Sequence, residues 1–273
     1  MTICSYATFD DPGSDDEIEP VLAAWREAGI DGRAERWDDP AADWSAYDAV
    51  IVRSVWDYIL RREEFLAWAR AVESVTRLLN PYAVLEVNTD KTYLRNLGVP
   101  VVPTHWSSED LPDWPEYVVK PTVSGGARDT TRTAGREQAG ALAAALEAAG
   151  RTPMVQPYLD MVESEGETSL LYFNRRFSHA VRRNPMLAPG LAPGATLDDA
   201  RARLRPPAPD QVELAEKALA AVPHALLYAR VDLVRLSDGS PAVMELELTE
   251  PSLFLHHEPG AAARFAGALR ELL

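Results

Sequence analysis

Residues Arg230–Ser252, RVDLVRLSDGSPAVMELELTEPS, hold the densest chemistry in the chain. Two alternating runs flank Asp238-Gly239, the signal of a two-residue hairpin turn. That loop sets Ser237 opposite Ser240, Leu233 opposite Met244, Asp232 opposite Glu245, Val231 opposite Leu246 and Arg230 opposite Glu247. One face is then apolar as far as Arg235. The other gathers three carboxylates and one arginine at the end away from the turn. Directly opposite side chains have Cβ atoms roughly 5 Å apart. Carboxylates that close repel, and one is protonated unless a cation sits among them. The residues alone leave two readings open: a solvated face with one Arg230–Glu247 pair, or a site for a hard divalent cation held by Asp232, Glu245 and Glu247.

Of 27 basic residues only Lys91, Lys120 and Lys217 are lysine. Lysine supplies a compact point charge that arginine does not reproduce. Lys120 ends the strand-like run Tyr117–Lys120 and leads into Pro121-Thr122-Val123-Ser124-Gly125-Gly126-Ala127-Arg128. Glycines let backbone N–H groups approach an anion, and the lysine adds charge, so the pattern suits a polyphosphate. Neither the P-loop pattern nor G-x-G-x-x-G occurs, and a Ser-Gly-Gly turn by itself is an ordinary hairpin. Lys91 lies in the first turn of a short helix capped by Thr89 or Asp90 and ended by Gly98. A cation is unfavourable there without an anion nearby.

The elements that must position these residues begin with alternating strand and helix. Strands are expected at 2–8, 31–38, 49–55 and from 77, with helices at 17–29 and 62–76, the pattern of a parallel α/β sheet. Ligands sit beyond the carboxyl ends of such strands. The third strand ends there with Arg53, Trp56, Asp57 and Tyr58, either a recognition loop for a small zwitterion or carboxylate, or a loop whose aromatics cap the core. Further strands are expected at 99–104, 117–120, 154–159, 168–173 and 177–183, with helices at 137–149, 211–222 and 258–272. Residues 184–209 hold six prolines and two glycines and read as a long loop with a helical turn at 197–204.

Composition narrows the class. The 273 residues suffice for one large domain or two intimate ones, and 47% hydrophobic content supports a sizeable core. A net charge of −15 argues against a nucleic-acid or anionic-membrane partner. The single cysteine, Cys4, rules out a disulfide framework or a cysteine metal site. No signal peptide or apolar span is evident, so a cytoplasmic location is expected.

The ordered series N-T-D-K-x-x-L-x-x-L-G-V-P, Y-V-V-K-P-x-x-S-G-G, V-Q-P-Y-L, R-x-D-L and E-x-E with P-S after it resembles the ATP-grasp superfamily, which contains D-alanine–D-alanine ligase and glutathione synthetase. The resemblance covers roughly 80–273, with the first 80 residues similar to the family's preceding domain. It implies an α/β fold of the α+β ATP-grasp kind: an N-terminal domain at 1–82, then subdomains at 83–155 and 156–273 clasping a nucleotide. It assigns Lys91 and Lys120 to the ATP phosphates and Ser124, Gly125 and Gly126 to a covering loop. Gln156, Tyr158 and Leu159 fall to adenine, and Glu167 to ribose, with Glu163 and Glu165 close by. Arg230 falls to the transferred phosphoryl group, and Asp232, Glu245 and Glu247 to Mg²⁺, with Mn²⁺ as an alternative. The family usually has E-x-N where this chain has Glu247, and both side chains offer a hard oxygen.

The resemblance implies an ATP-dependent carboxylate–amine ligase working through an acylphosphate on a small amino acid or peptide-like substrate. Arg230, Lys120 and Arg182 or Arg183 would act at the transferred group, and Arg53, Trp56, Asp57, Tyr58 and Ser252 would hold the substrate. The E-x-E with PSLFL and the RSVWDY loop are similar to a branch that contains the O-ureido-serine cyclo-ligase of cycloserine biosynthesis, so ring closure by the same chemistry is an alternative. A nucleotide-binding protein without ligase activity, or a metal-dependent hydrolase, stands as the reading from another class. A homodimer is a further option for partners.

Overall fold

The computed structural model describes residues 2–10, 12–184, 187 and 202–273. Its first unit comprises β1 (Thr2–Thr8), α1 (Ile18–Glu27), β2 (Ile30–Arg36), β3 (Ala49–Ser54), α2 (Arg62–Val75) and β4 (Arg77–Leu79). The strands form a parallel sheet of order β2-β1-β3-β4. Side-chain alternation along β1 and β3 gives the sheet two buried faces. Cys4, Tyr6, Ala49 and Ile51 pack with Val21 and Trp25 of α1. Ala7, Val50 and Val52 pack with Phe65, Ala69 and Val72 of α2 on the other face.

The connection runs through α3 (Tyr82–Asn88) and a 3₁₀ turn, Lys91–Asn96. The short helix expected between its Thr89 or Asp90 cap and Gly98 is this 3₁₀ turn, and α3 precedes it as a separate helix. Asp90 caps the 3₁₀ turn by accepting from Thr92 N at 3.0 Å. The strand expected at 99–104 is instead an extended segment with single bridges, Val101 to Val243 and His105 to Val155.

Next come β5 (Tyr117–Pro121), β6 (Thr131–Thr133), α4 (Arg136–Ala148) and β7 (Pro153–Pro157). They make a three-stranded antiparallel sheet of order β6-β5-β7. Tyr117 and Val119 of β5 pack against Ala139 and Ala143 of α4, so the alternate residues Val118 and Lys120 face the other way, into a cleft.

The remaining chain forms α5 (Met161–Glu165), β8 (Glu167–Phe173), β9 (Arg176–Arg183), β10 (Ala202–Leu204), α6 (Pro209–Ala220), β11 (Tyr228–Arg235), β12 (Pro241–Glu247) and α7 (Ala261–Leu272). Its sheet is antiparallel, of order β10-β9-β8-β11-β12. The helical turn expected at 197–204 meets strand β10 at 202–204, and its earlier part lies outside the described residues. Leu214, Ala215 and Ala218 of α6 cover one face of this sheet. Phe265 and Leu269 of α7 share a core with Tyr6 and Trp25 of the first unit, which joins the two ends of the chain. Among the described residues no helix is long and apolar enough to cross a membrane.

Candidate active site

The β11–β12 hairpin places Arg230 opposite Glu247, Val231 opposite Leu246 and Asp232 opposite Glu245, as the alternation predicts. The turn itself differs. Leu236 N donates to Ser240 O at 2.9 Å, so three residues lie between them, with Gly239 at φ 83°. A bulge between Asp232 and Leu233 pairs Leu233 with Val243 rather than Met244. The longer loop and the extra residue Met244 offset each other. Register is therefore restored at the end that carries the charges.

Asp232 lies on a central strand and is 1% exposed. It accepts from Ser169 Oγ at 2.6 Å, Arg183 Nη2 at 2.6 Å and Arg230 Nη2 at 3.0 Å. Burial pushes its pKa up, but Arg183 and Arg230 outweigh that and hold it below the ordinary range. Arg230 also pairs with Glu247. Burial, reinforced by Glu245 and Asp232, pushes Glu247 up to about 8 despite Arg230. Ligand oxygens of Asp232, Glu245 and Glu247 all lie within 4.8 Å of one another. Three convergent hard oxygens fit Mg²⁺, which takes carboxylates and leaves positions for phosphate oxygens and water.

The connecting segment is stitched along β12. Asn88 Nδ2 donates to Leu246 O at 2.7 Å, and Leu248 N donates to Asn88 Oδ1 at 2.8 Å. The Tyr93 hydroxyl bonds both Leu246 O and Leu246 N at 2.8 Å. Lys91 lies between these anchors, and its Nζ stands 2.9 Å from Glu245 Oε1. Burial pulls the Lys91 pKa down, but Glu245 and Glu247 hold it above the ordinary value. The same ammonium donates to Ser124 O, tying the glycine-containing loop to the site. Gly126 adopts φ 58°, as do the non-glycine residues Ala127 (φ 58°) and Asp129 (φ 56°) within a few degrees. A Cβ on Gly125 would approach Ile59 Cγ2 at 3.8 Å, so the loop reaches the first unit.

Lys120 differs from Lys91. Its ammonium has no hydrogen bond or ion pair among the described residues, and burial lowers its pKa, with Glu245 opposing and Lys91 pushing the same way as burial. A cation so placed gains most from an incoming anion.

These groups line one cleft of about 730 Å³, within the size range of small-molecule sites. Lys91, Lys120, Ser124, Gly125, Gly126, Gln156, Tyr158, Leu159, Glu167, Arg230, Glu245, Glu247, Trp56, Tyr58 and Ser252 all contribute to its wall. Gln156 is anchored by donating to Thr104 Oγ1 at 2.8 Å. Arg132 stacks over the Tyr158 ring, 3.3 Å from its centroid. Of the acids near the ribose position, Glu167 faces the cleft beside Arg183 at 2.8 Å, while Glu163 bonds Tyr158 and Arg132 and Glu165 pairs with Arg205.

Three expected residues face elsewhere. Arg53 is 2% exposed and bonds Glu17 Oε2 at 3.0 Å and Pro251 O at 2.8 Å. Every residue of β3 is buried, so Arg53 points into the protein, while Trp56 and Tyr58 beyond the strand end line the cleft. Asp57 turns the other way, accepting from Trp37 Nε1 at 2.9 Å and pairing with Arg61. Arg182 bonds Glu165 O at 2.7 Å and Asn184 Oδ1 at 2.7 Å. Strand alternation sends its neighbour Arg183 to the cleft instead. Glu250 was absent from the sequence-based set. It lines the cleft, and burial pushes it up to about 7, with Glu245 adding to the rise and Lys91 opposing it. A single acid in LTEPS carries no spacing signal.

Residues 1–80 match the family profile described as D-cycloserine synthetase DcsG, N-terminal domain. The chain is 40% identical to the cycloserine biosynthesis protein DcsG of Streptomyces lavendulae, covering 95% of this chain and 94% of that one. It is similar to the crystal structure of D-cycloserine synthetase DcsG, at TM-score 0.91 and 37% identity over 99% of each chain. The ATP-grasp ligase PsnB, solved with a variant of its minimal precursor, Mg and ADP, matches at TM-score 0.63 and 18% identity, over 99% of this chain and 98% of that one. That likeness shows the ATP-grasp fold.

Proposed function

The chain belongs to the family of the cycloserine biosynthesis protein DcsG and is an ATP-dependent ligase of ATP-grasp fold; from that premise we propose that it activates the carboxylate of a small amino acid as an acylphosphate and closes a ring. The substrate carboxylate oxygen attacks the γ-phosphorus of ATP and ADP departs. A nitrogen of the same molecule then attacks the acyl carbon, breaking its bond to the phosphate oxygen. O-ureido-serine is the candidate substrate, by the likeness to a cycloserine biosynthesis protein and by the RSVWDY and PSLFL motifs. The observation that carries the reading is the meeting, in one cleft, of Lys91, Lys120, the Ser124–Gly126 loop and the Asp232–Glu245–Glu247 trio.

Lys120 and Lys91 neutralise the phosphates from the sheet of β5 and from the β12 edge. Arg230, fixed by Asp232, balances the charge on the transferred group, and Arg183 takes the place first given to Arg182. Such transfers depend on positioning and charge balance more than on acid–base residues. Gln156, Tyr158 and Leu159 receive the base, and Glu167 the ribose. Trp56, Tyr58 and Ser252 border the substrate. Asp232, Glu245 and Glu247 would hold Mg²⁺, or Mn²⁺ with the same oxygens, and the bound ion would supply positive charge against the phosphates. The units 1–82, 83–155 and 156–273 supply these parts in turn.

The test is ADP release with Mg²⁺-ATP across a panel of amino acids and ureido or aminooxy derivatives. Stimulation by O-ureido-serine, with a cyclic product, is expected. Absence of stimulation by every carboxylate tested would overturn the reading. An amide formed only with an added amine would instead favour intermolecular ligation.

A further inference from the structure

Charge matching inside the cleft leaves three groups over among the described residues, the exposed Arg128 and two that are half-buried. Asp232 meets Arg230 and Arg183, Glu247 meets Arg230, Glu167 meets Arg183, and Glu245 meets Lys91. Lys120 and Glu250 have no ion-pair partner among the described residues, yet both line the cleft. Lys120 is accounted for by phosphate. Glu250 is a half-buried carboxylate that feels the charges of Lys91 and Arg230 but makes no ion pair with either, so it is free to pair with a cation that arrives from outside.

Its surroundings define that cation. Trp56 Nε1 donates to Glu250 O at 3.1 Å, which fixes the backbone and leaves the carboxylate facing the cleft. The Tyr58 hydroxyl lies beside the carboxylate. Aromatic rings next to a carboxylate favour an organic ammonium, which the ring faces also attract. Two residues on, Ser252 O accepts from Arg230 Nη1 at 3.2 Å. The Glu250–Ser252 segment thus runs from an unmatched carboxylate to the arginine at the phosphoryl end. A ligand along it carries an ammonium at one end and a carboxylate at the other.

We infer that Glu250 receives the α-ammonium of the substrate, so that the enzyme selects an α-amino acid over the corresponding simple acid. The inference rests on the ligase reading for the fate of the carboxylate, but recognition of the ammonium is read separately. The alternative role, an additional metal ligand, is an outcome of the same test.

Binding of O-ureido-serine and of its analogue lacking the amino group is measured by calorimetry on the full chain with Mg²⁺ and a non-hydrolysable ATP analogue. The wild-type protein prefers the ammonium-bearing ligand by on the order of 100-fold, the scale of one buried charge pair. Glu250→Gln reduces that preference to about threefold or less while nucleotide affinity and Mg²⁺ half-saturation stay unchanged. Glu250→Asp retains part of the preference, which separates recognition from misfolding. Equal binding of the two ligands by the wild type, binding of neither, or an undiminished preference in Glu250→Gln overturns the inference. A shift in Mg²⁺ half-saturation with the preference intact overturns it in favour of a metal ligand. Failure of the ligase reading shows differently: the preference persists but no ADP is released with ATP.

Discussion

Two buried clusters of charge share the segment 250–255, and they are built on opposite principles. In the first, Glu17 accepts from Arg53 and from the backbone N–H groups of Leu253 and Leu255, at 2.9 to 3.0 Å. Arg53 also donates to Pro251 O and faces the Tyr228 ring 5.0 Å from its centroid. This cluster balances its charges within itself, with Arg53 Nε and Nη1 set among the Tyr6, Tyr228 and Phe265 rings rather than against hydrogen-bond acceptors. In the second, across the cleft wall, carboxylates outnumber the cations that neutralise them, and Lys120 and Glu250 are left unmatched. On the proposed function, the first set of charges serves the fold and the second receives a ligand. A closed cluster fixes backbone; an open one stores electrostatic work that binding recovers.

The contrast can be broken first at the closed cluster. Arg53→Leu leaves Glu17 buried and unpaired, so unfolding in urea should show a loss of about 3–5 kcal/mol. A loss under about 1 kcal/mol would mean that the cluster is not closed as described. Within the open cluster, neighbouring arginines should separate. Arg183→Ala should lower turnover by on the order of 100-fold, because Asp232 loses a partner at the reacting end. Arg182→Ala should change it by about threefold or less, and equal effects would erase the distinction drawn from strand alternation.

The smallest effect concerns pH. Glu247 is pushed up to about 8 by burial, so below that pH the metal-free site carries a proton that Mg²⁺ must displace. Mg²⁺ half-saturation should therefore fall by up to about tenfold per pH unit between about 6.5 and 7.5 and level off above about 8. The slope should vanish in Glu247→Gln. A pH-independent half-saturation in the wild type would show that Glu247 is already ionised before metal arrives.

Much of the open cluster was legible in the chain because it obeys local rules. Period-two alternation put Arg230, Asp232, Glu245 and Glu247 on one face, and that survived a mistaken turn because the bulge at Met244 compensated. Lys120 was visible as a lysine at a strand end before glycines. The closed cluster was not legible. Glu17 meets backbone groups 236 and 238 residues away, a pairing that no local pattern encodes. Arg53 therefore looked like a ligand contact, being a cation at the carboxyl end of a parallel strand. Arg182 and Arg183 show a finer limit. Alternation demands that only one face the cleft, but which one depends on the register with β8, where Arg183 lies opposite Glu167. Glu250 escaped because its meaning lies in what is missing around it, and an unmatched charge becomes visible only when all its neighbours are known.

The central claim is that the half-buried unmatched cation of the cleft exists for nucleotide phosphate. Titration of Mg²⁺-ATP onto the wild type and Lys120→Ala, with Tm recorded for both, tests it directly. The account predicts affinity weakened by on the order of 100-fold with Tm unchanged or raised, since the half-buried Lys120 ammonium has no ion pair among the described residues to lose. Unchanged affinity, or weakened affinity accompanied by a matching fall in Tm, would contradict it.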